Sequence, residues 1–348
     1  MSNVAFALGG LGGNNAHGAG FLHAAIEAQV KPRMISCTSG QIHWVYKYLL
    51  ATEGHGNLED CLAEYVAETE PFPLRDWNLA KMALQGKPGM LRLASYEFAL
   101  DVAQNTFRAF EHLARAWPRP FVMEELVNVF PARTMVPLFP DNFFEDISDK
   151  FNETKIGIIF NSYDPNEGIE FVHLNGVARK LLDRKAGDKC TYLRDRTIFK
   201  DITPRYVRDG LWLYEYGFEA QAILDGCYYR PVILSELAKV AKKIYVCRPI
   251  NAKWVGRLPT SFASREDMKT EIAFNGSYQG ERDKILLINK LIDGNMLVSD
   301  NRYHRVDLVE IEMETQEGYL DYISEDVRIF ERAKRIALKK LDAGHLAV

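Results

Sequence analysis

No uninterrupted apolar stretch reaches about 18 residues, which excludes an evident transmembrane helix. An excess of either charge is also missing. The 43 Lys and Arg residues face 47 Asp and Glu, for a net charge of -4, so bulk charge gives no argument for nucleic acid. An anionic membrane surface would need a local basic patch instead. Cysteine is sparse: Cys37, Cys61, Cys190, Cys227 and Cys247 make five, an odd number, widely scattered and without metal-ligand spacing. That usage suits free thiols in a reducing compartment and leaves no zinc site readable. Internal repeats and low-complexity segments are lacking too. The apolar run at Val4–Leu8 has no basic region before it and meets glycines at once, unlike a signal peptide. The expectation is a soluble, cytoplasmic protein, although a leaderless secreted one would look the same.

Length is what the chain has, because 348 residues suffice for one large α/β domain or two smaller ones. One domain with an inserted helical region is the preferred expectation. Its organising stretch is Val4 to Gln41. Val4-Ala5-Phe6-Ala7-Leu8 is a short apolar run without helical period, and Gly9-Gly10-Leu11-Gly12-Gly13-Asn14-Asn15 cannot continue it. A buried strand ending in a glycine loop follows. From His17 the small and apolar residues predict a helix that Lys31-Pro32 terminates, and Met34-Ile35-Ser36 starts a second strand. Cys37-Thr38-Ser39-Gly40-Gln41 then leads into an amphipathic stretch, Ile42 to Leu50.

A serine between strand and helix, followed by glycine, has the layout of a nucleophile elbow, in which a tight turn lifts the hydroxyl off the sheet edge. Backbone N–H groups of the upstream loop, with Gly10, Gly12 and Gly13 as candidates, would face a developing oxyanion. The arrangement resembles the patatin-like lipid acyl hydrolases, whose pattern is a glycine-rich loop, a basic residue and glycine opening a helix, then Gly-x-Ser-x-Gly. Here Ala16-His17-Gly18-Ala19 stands at the basic residue and Thr38-Ser39 at the nucleophile. The chain departs at Cys37 and Gln41, which replace the outer glycines of the elbow, at His17, and in a longer loop containing Asn14-Asn15.

Between Asn57 and about Asn152 the pattern is mostly helical and predicts a cap insertion. Leu93, Phe98, Leu100, Phe107, Phe110 and Leu113 share an apolar sector expected to be core rather than lipid-binding surface. A segment rich in proline and aromatics, from Trp117 to Phe144, is expected to form a cap over the sheet edge. Lys155–Phe160 and Ile169–Leu174, joined by Asp164-Pro165-Asn166-Glu167-Gly168, predict a hairpin. Val177 to Thr203 reads as a surface excursion. Beyond Arg208–Phe218 the apolar Ala222-Ile223-Leu224 leads to Asp225-Gly226-Cys227. The resemblance places its Asp-Gly-Gly or Asp-Gly-Ala here, which Asp225-Gly226 fits and Cys227 does not, with Pro231 at the expected proline. Val232 to Lys243 then reads as a helix, Lys243–Cys247 as a strand, Arg282–Ile292 as a helix, Arg305–Met313 as a strand and Asp326–Leu341 as a charged helix.

The fold class expected is therefore α/β, a mostly parallel central sheet with helices on both faces, patatin-like. A serine hydroxyl needs a base within reach. The resemblance implies that Asp225 acts directly on Ser39, without an intervening histidine, in an acyl-enzyme mechanism on carboxylic esters of lipids that needs neither cofactor nor metal. Implied partners are a lipid or acyl-ester substrate and a peripheral membrane contact, with no nucleic acid. A Ser-Asp-His order would call on His304 or His345 instead, both expected at the surface. Cys37 is expected to be a buried thiol, and His17 to hydrogen-bond locally, or, if protonated, to help hold an anionic head group. Two other readings stay open. One is a patatin-like binding or scaffold protein whose catalysis has decayed. The other is a nucleotide-binding α/β protein, ranked lower because Asn15 stands at the third glycine and the second strand ends without an acidic residue for a ribose.

Overall fold

The structure, a computed structural model, describes residues 3–10, 15–65, 90–116, 129–131, 133–183, 187, 196–218, 222–254, 258–260, 262–299, 303–313 and 327–345. The chain divides into two compact units, one of Met1–Glu70, Asn142–Trp212 and Ile223–Val348, the other of Pro71–Asp141 and Leu213–Ala222.

The run Val4–Leu8 forms strand β1 in the middle of the larger unit's sheet, where Ala5, Phe6, Ala7 and Leu8 are buried on both faces. On one side lie β9 (Lys243–Cys247) and β10 (Asp307–Ile311). On the other come β2 (Met34–Cys37), β5 (Gly157–Asp164), β6 (Ile169–Leu174) and β7 (Thr197–Asp201). Neighbours from β10 through β5 run parallel, β6 runs antiparallel to β5, and β7 lies parallel to β6. An eighth strand, β8 (Leu224–Asp225), pairs antiparallel with β5.

Alternation along β1 sends Phe6 to one face and Ala5 and Ala7 to the other. Phe6 meets Phe21 of helix α1 (Ala16–Glu27) edge to face, with ring centroids 4.8 Å apart. Ala5 and Ala7 join Met34, Ile159, Val232, Ile244 and the helical Tyr278 and Ile285 in one buried cluster. Helix α2 (Gln41–Thr52) lies on the Phe6 side, since Ile42 and Phe160 converge on Gly210. The expected mostly parallel sheet with helices on both faces is therefore what forms. The predicted hairpin forms as β5 and β6. Among the described residues no helix is long and apolar enough to cross a membrane.

Four expectations change. Val232 to Lys243 is not a helix but an irregular segment with one 3-10 turn, Leu237–Lys239. Its Val232, Ile233, Leu234 and Leu237 are all buried, and the carbonyl of Ile233 accepts from Ser36 Oγ at 2.9 Å, so tertiary contacts replace helical ones. The Val177–Thr203 stretch is no mere excursion, because it supplies the short helix at Gly176–Leu182 and the edge strand β7. Residues 184–186 and 188–195 of it lie outside the described residues. Of the stretch 57–152, expected as a cap insertion, only Pro71–Asp141 falls in the smaller unit. Helix α3 (Leu58–Tyr65) and the helix Phe143–Glu153 fall in the larger unit.

The smaller unit contains an antiparallel pair, β3 (Met90–Leu93) with β4 (Met135–Leu138), and helix α4 (Ser95–Ala116). Within it Thr134 N–H donates to Glu215 O at 2.9 Å. The fourth change is on α4: Leu100, Phe107 and Phe110, expected to be core, are exposed together with Tyr96. At 100° per residue these four form one stripe, while Ala109 on the opposite side is buried. The side chains of Leu93 and Leu113, and residues 117–128 of the proline-aromatic segment, lie outside the described residues.

Three histidines in the larger unit make stability depend on pH: His17 and His173 are fully buried, and both ring nitrogens of the half-buried His43 are enclosed. Burial pushes His17 down to about 4, and His43 and His173 down to about 3. Unfolded histidines titrate near ~6.5. Below that value the unfolded chain takes up protons that the native one refuses, so this contribution is complete above about pH 6.5 and is lost as pH falls toward the folded values. Asp209, which burial pushes up to about 6, acts in the opposite sense between its unfolded value and 6. Urea midpoints measured from pH 8 down to 5 should therefore begin to fall near pH 6.5, with a slope of up to about 1.4 kcal/mol per pH unit for each histidine. A midpoint that stays flat to pH 5 would contradict buried neutral imidazoles.

Candidate active site

Strand β2 ends at Cys37, helix α2 begins at Gln41, and the two are joined by Thr38-Ser39-Gly40. To turn this sharply, Ser39 adopts a left-handed backbone with φ 55°. For a residue with a Cβ that conformation costs roughly 1–2 kcal/mol, and the surrounding contacts must hold it. Ile42 N–H donates to Ser39 O at 2.9 Å, tying the turn to the first residues of the helix. Gly10 closes the other side. A Cβ at Gly10 would lie 2.2 Å from Thr38 O and 2.6 Å from Ser39 Cβ, so only glycine lets the loop after β1 come this close.

Thr38 joins three segments with one hydroxyl. Gly10 N–H donates to Thr38 Oγ1 at 2.9 Å, and the Thr38 hydroxyl donates to Pro231 O at 2.8 Å. The glycine loop, the Ser39 turn and the segment following Asp225 are thus bound to each other although they are far apart in sequence.

Asp225 reaches this rim of the sheet through strand pairing. The β2 register runs Met34 with Gly157 to Ser36 with Ile159 and stops, because the chain turns away at Thr38. Since β6 pairs with the other edge of β5 from Ile159 to Asp164, the edge that β2 vacates is the one β8 takes, setting Asp225 opposite Ser162. Cross-strand partners share a face, so Asp225 belongs to the face of Ser162 and Phe160, on which α2 also lies. Its Oδ1 accepts from Cys227 N–H at 2.9 Å, and Asp225 N–H donates to Trp212 O at 2.9 Å.

Ser39 and Asp225 are both buried. Ser39 Oγ has no hydrogen-bond partner among the described residues, so the serine and the aspartate stand at the same rim without bonding each other. The oxyanion candidates fare differently. Gly10 is not available as a donor, because its N–H is occupied by Thr38 Oγ1. Its role is the close approach just described. Gly12 and Gly13 lie outside the described residues.

Cys37, Gln41 and His17 are neutral and buried. The Cys37 thiol is pushed up by burial and contacts Ile159 O at 3.7 Å, as a buried thiol was expected to do. Gln41 is fully buried, and its Nε2 donates to Asn15 O at 3.2 Å. His17 Nε2–H donates to Gly9 O at 2.8 Å. An imidazole held neutral in this way cannot bind an anionic head group by charge, which removes that role and leaves local hydrogen bonding. His304 is half-buried and bonds Ala241 O just ahead of β9, at the amino end of the parallel strands. Ser39 lies at their carboxyl end, so a triad through His304 is excluded. The side chain of His345 lies outside the described residues.

Sequence reasoning passed over Asp209 and Asn161. Asp209 is buried, its Oδ2 has no hydrogen-bond partner among the described residues, and its carbonyl accepts from Trp212 N–H, one residue removed from the Asp225 contact. Asn161 breaks an otherwise apolar strand run, Gly157 to Phe160, and that lone amide in a buried strand was the available signal. Compared with models of protein families and with curated proteins, the chain finds no match.

The Thr38 bridge makes a direct prediction. Thr38→Val keeps the shape but leaves Gly10 N–H and Pro231 O buried without their partner, which should cost about 2–4 kcal/mol in urea unfolding, whereas Thr38→Ser should cost less than half as much. Equal stability of Thr38→Val and the unaltered protein would show that the bridge is not formed.

Proposed function

We propose that the chain is a patatin-like lipid acyl hydrolase, of phospholipase A or esterase type, working through Ser39 and Asp225. The observation that carries this reading is the left-handed turn at Ser39, an uncommon and costly backbone state for serine that exists between a strand and a helix, with Asp225 on the strand edge vacated by that same turn. Ser39 Oγ would attack the ester carbonyl carbon while its proton passes to the Asp225 carboxylate. Backbone N–H groups of the glycine loop would hold the negative charge that develops on the carbonyl oxygen. Expulsion of the alcohol, which takes up the proton from Asp225, leaves an acyl-serine. Asp225 then accepts a proton from water, the resulting hydroxide attacks the acyl carbon, and the carboxylic acid leaves as Ser39 regains its proton. Because the hydroxyl is buried, substrate entry requires that it first be uncovered. The exposed apolar stripe Tyr96, Leu100, Phe107 and Phe110 on α4 supports a lipid surface as the setting.

The rival reading is a protein of the same architecture that has lost catalysis and keeps a binding role. The unbonded Ser39 hydroxyl favours it. Reaction with a fluorophosphonate probe separates the two. The hydrolase reading expects labelling that is lost in Ser39→Ala and slowed about a hundredfold or more in Asp225→Asn. Folded protein that remains unlabelled would overturn it.

A further inference from the structure

A buried polar network stands directly behind Asp225, and the hydrolase chemistry above does not use it. Asn161 on β5 is fully buried, and its Nδ2 lies within hydrogen-bond distance of three acceptors: Glu170 Oε1 at 2.9 Å, Gly226 O at 3.3 Å and Arg230 O at 3.2 Å. Three acceptors around one atom fix which way the amide points. Two of the three are backbone carbonyls at the start and the end of the turn that follows Asp225. That turn also carries the Cys227 N–H that holds Asp225 Oδ1 at 2.9 Å. A Cβ at Gly226 would fall 2.3 Å from Asn161 Cγ, so the turn sits against the amide with no room between them.

The amide is itself anchored. Glu170 Oε1 accepts from Arg230 Nε at 2.7 Å, and Glu170 Oε2 accepts from Thr197 Oγ1 at 2.9 Å. Arg230 is forked onto Glu236 at 2.8 and 3.3 Å and lies 3.5 Å from Glu281 Oε2, which also accepts from Ser235 Oγ at 2.6 Å. Arg230 and the three glutamates are all nearly inaccessible to solvent. Burying charge in this way is a poor means of gaining stability, because desolvation offsets most of the attraction. What such a lattice does supply is a fixed position for the groups bonded to it.

We infer that Asn161 is a positioning residue, which holds the Gly226–Arg230 turn at both ends and through it aims the Asp225 carboxylate. Glu170 and Arg230 brace it from behind. This inference rests on the hydrolase reading for its catalytic consequence, but the positioning itself is measurable without it.

The test uses the full chain with Asn161→Leu, which matches the side chain's shape and removes the donor, and with Asn161→Ser, whose hydroxyl retains one donor. Folding is checked by circular dichroism and a cooperative melting transition. Two readouts are taken: the rate of fluorophosphonate labelling of Ser39, and amide hydrogen exchange over residues 224–231. The expected result is labelling slowed about tenfold to a hundredfold in Asn161→Leu, with partial recovery in Asn161→Ser and faster exchange confined to the turn. In an Asp225→Asn background the Asn161→Leu change should slow labelling no further, because both then act through the same carboxylate. Unaltered exchange over the turn in a folded variant would overturn the inference, as would the same slowing with and without Asp225. Should the unaltered protein fail to label, the hydrolase reading falls while the exchange comparison still decides the positioning role. Should Asn161→Leu not fold, Asn161→Ser against the unaltered protein serves the same two readouts.

Discussion

A strand that loses its neighbour partway along must find other partners for its buried backbone groups, and β5 does so at Ser162. It is paired with β2 only as far as Ile159, because the chain turns at Thr38 and becomes helix α2. The exposed edge is taken over by the two residues Leu224 and Asp225. The same event that creates the Ser39 turn therefore creates the place that Asp225 fills. The placement of Ser39 and Asp225 at the same end of the sheet follows from backbone pairing, not from a bond between the two side chains.

The turn itself depends on neighbours that share hydrogen bonds instead of competing for them. Thr38 accepts from the loop after β1 and donates to the segment after β8, so one hydroxyl registers both against the turn. Cys37, Gln41 and His17 do not open this arrangement. The thiol is enclosed against Ile159 O, while the amide and the imidazole satisfy backbone carbonyls at Asn15 and Gly9. Burial keeps the imidazole neutral, so these three residues add hydrogen bonds to the rim but no charge. Charge is instead held one layer back, in the lattice of Arg230 with Glu170, Glu236 and Glu281, behind the residue that carries the carboxyl.

Much of this was legible along the chain wherever a local signal had a local cause. The apolar run at Val4–Leu8, the glycines after it, and the Asp-Pro and Gly turn before Ile169 each predicted the strand or hairpin found, because loop breakers and strand runs act over a few residues. Val232 to Lys243 misled for the opposite reason. Its apolar spacing suits a helix, yet Ile233 O and Pro231 O are claimed by Ser36 and Thr38 nearly two hundred positions earlier, and those bonds hold the chain irregular. On α4 the apolar spacing was correctly helical, but periodicity cannot tell which of two apolar faces is covered. Ala109 turned inward and Phe107 and Phe110 did not.

By itself the sequence determined the class of fold and the strand–turn–helix that carries Ser39, because period and turn chemistry are written into consecutive residues. Only the tertiary structure decided that Gly10 spends its N–H on Thr38, that Asp225 takes the strand edge left by β2, and that Asn161 holds the turn behind it. Each of those is a bond between segments distant in the chain, and hydrogen-bond partners of buried groups are chosen by what folding brings alongside them, which no run of neighbouring residues specifies.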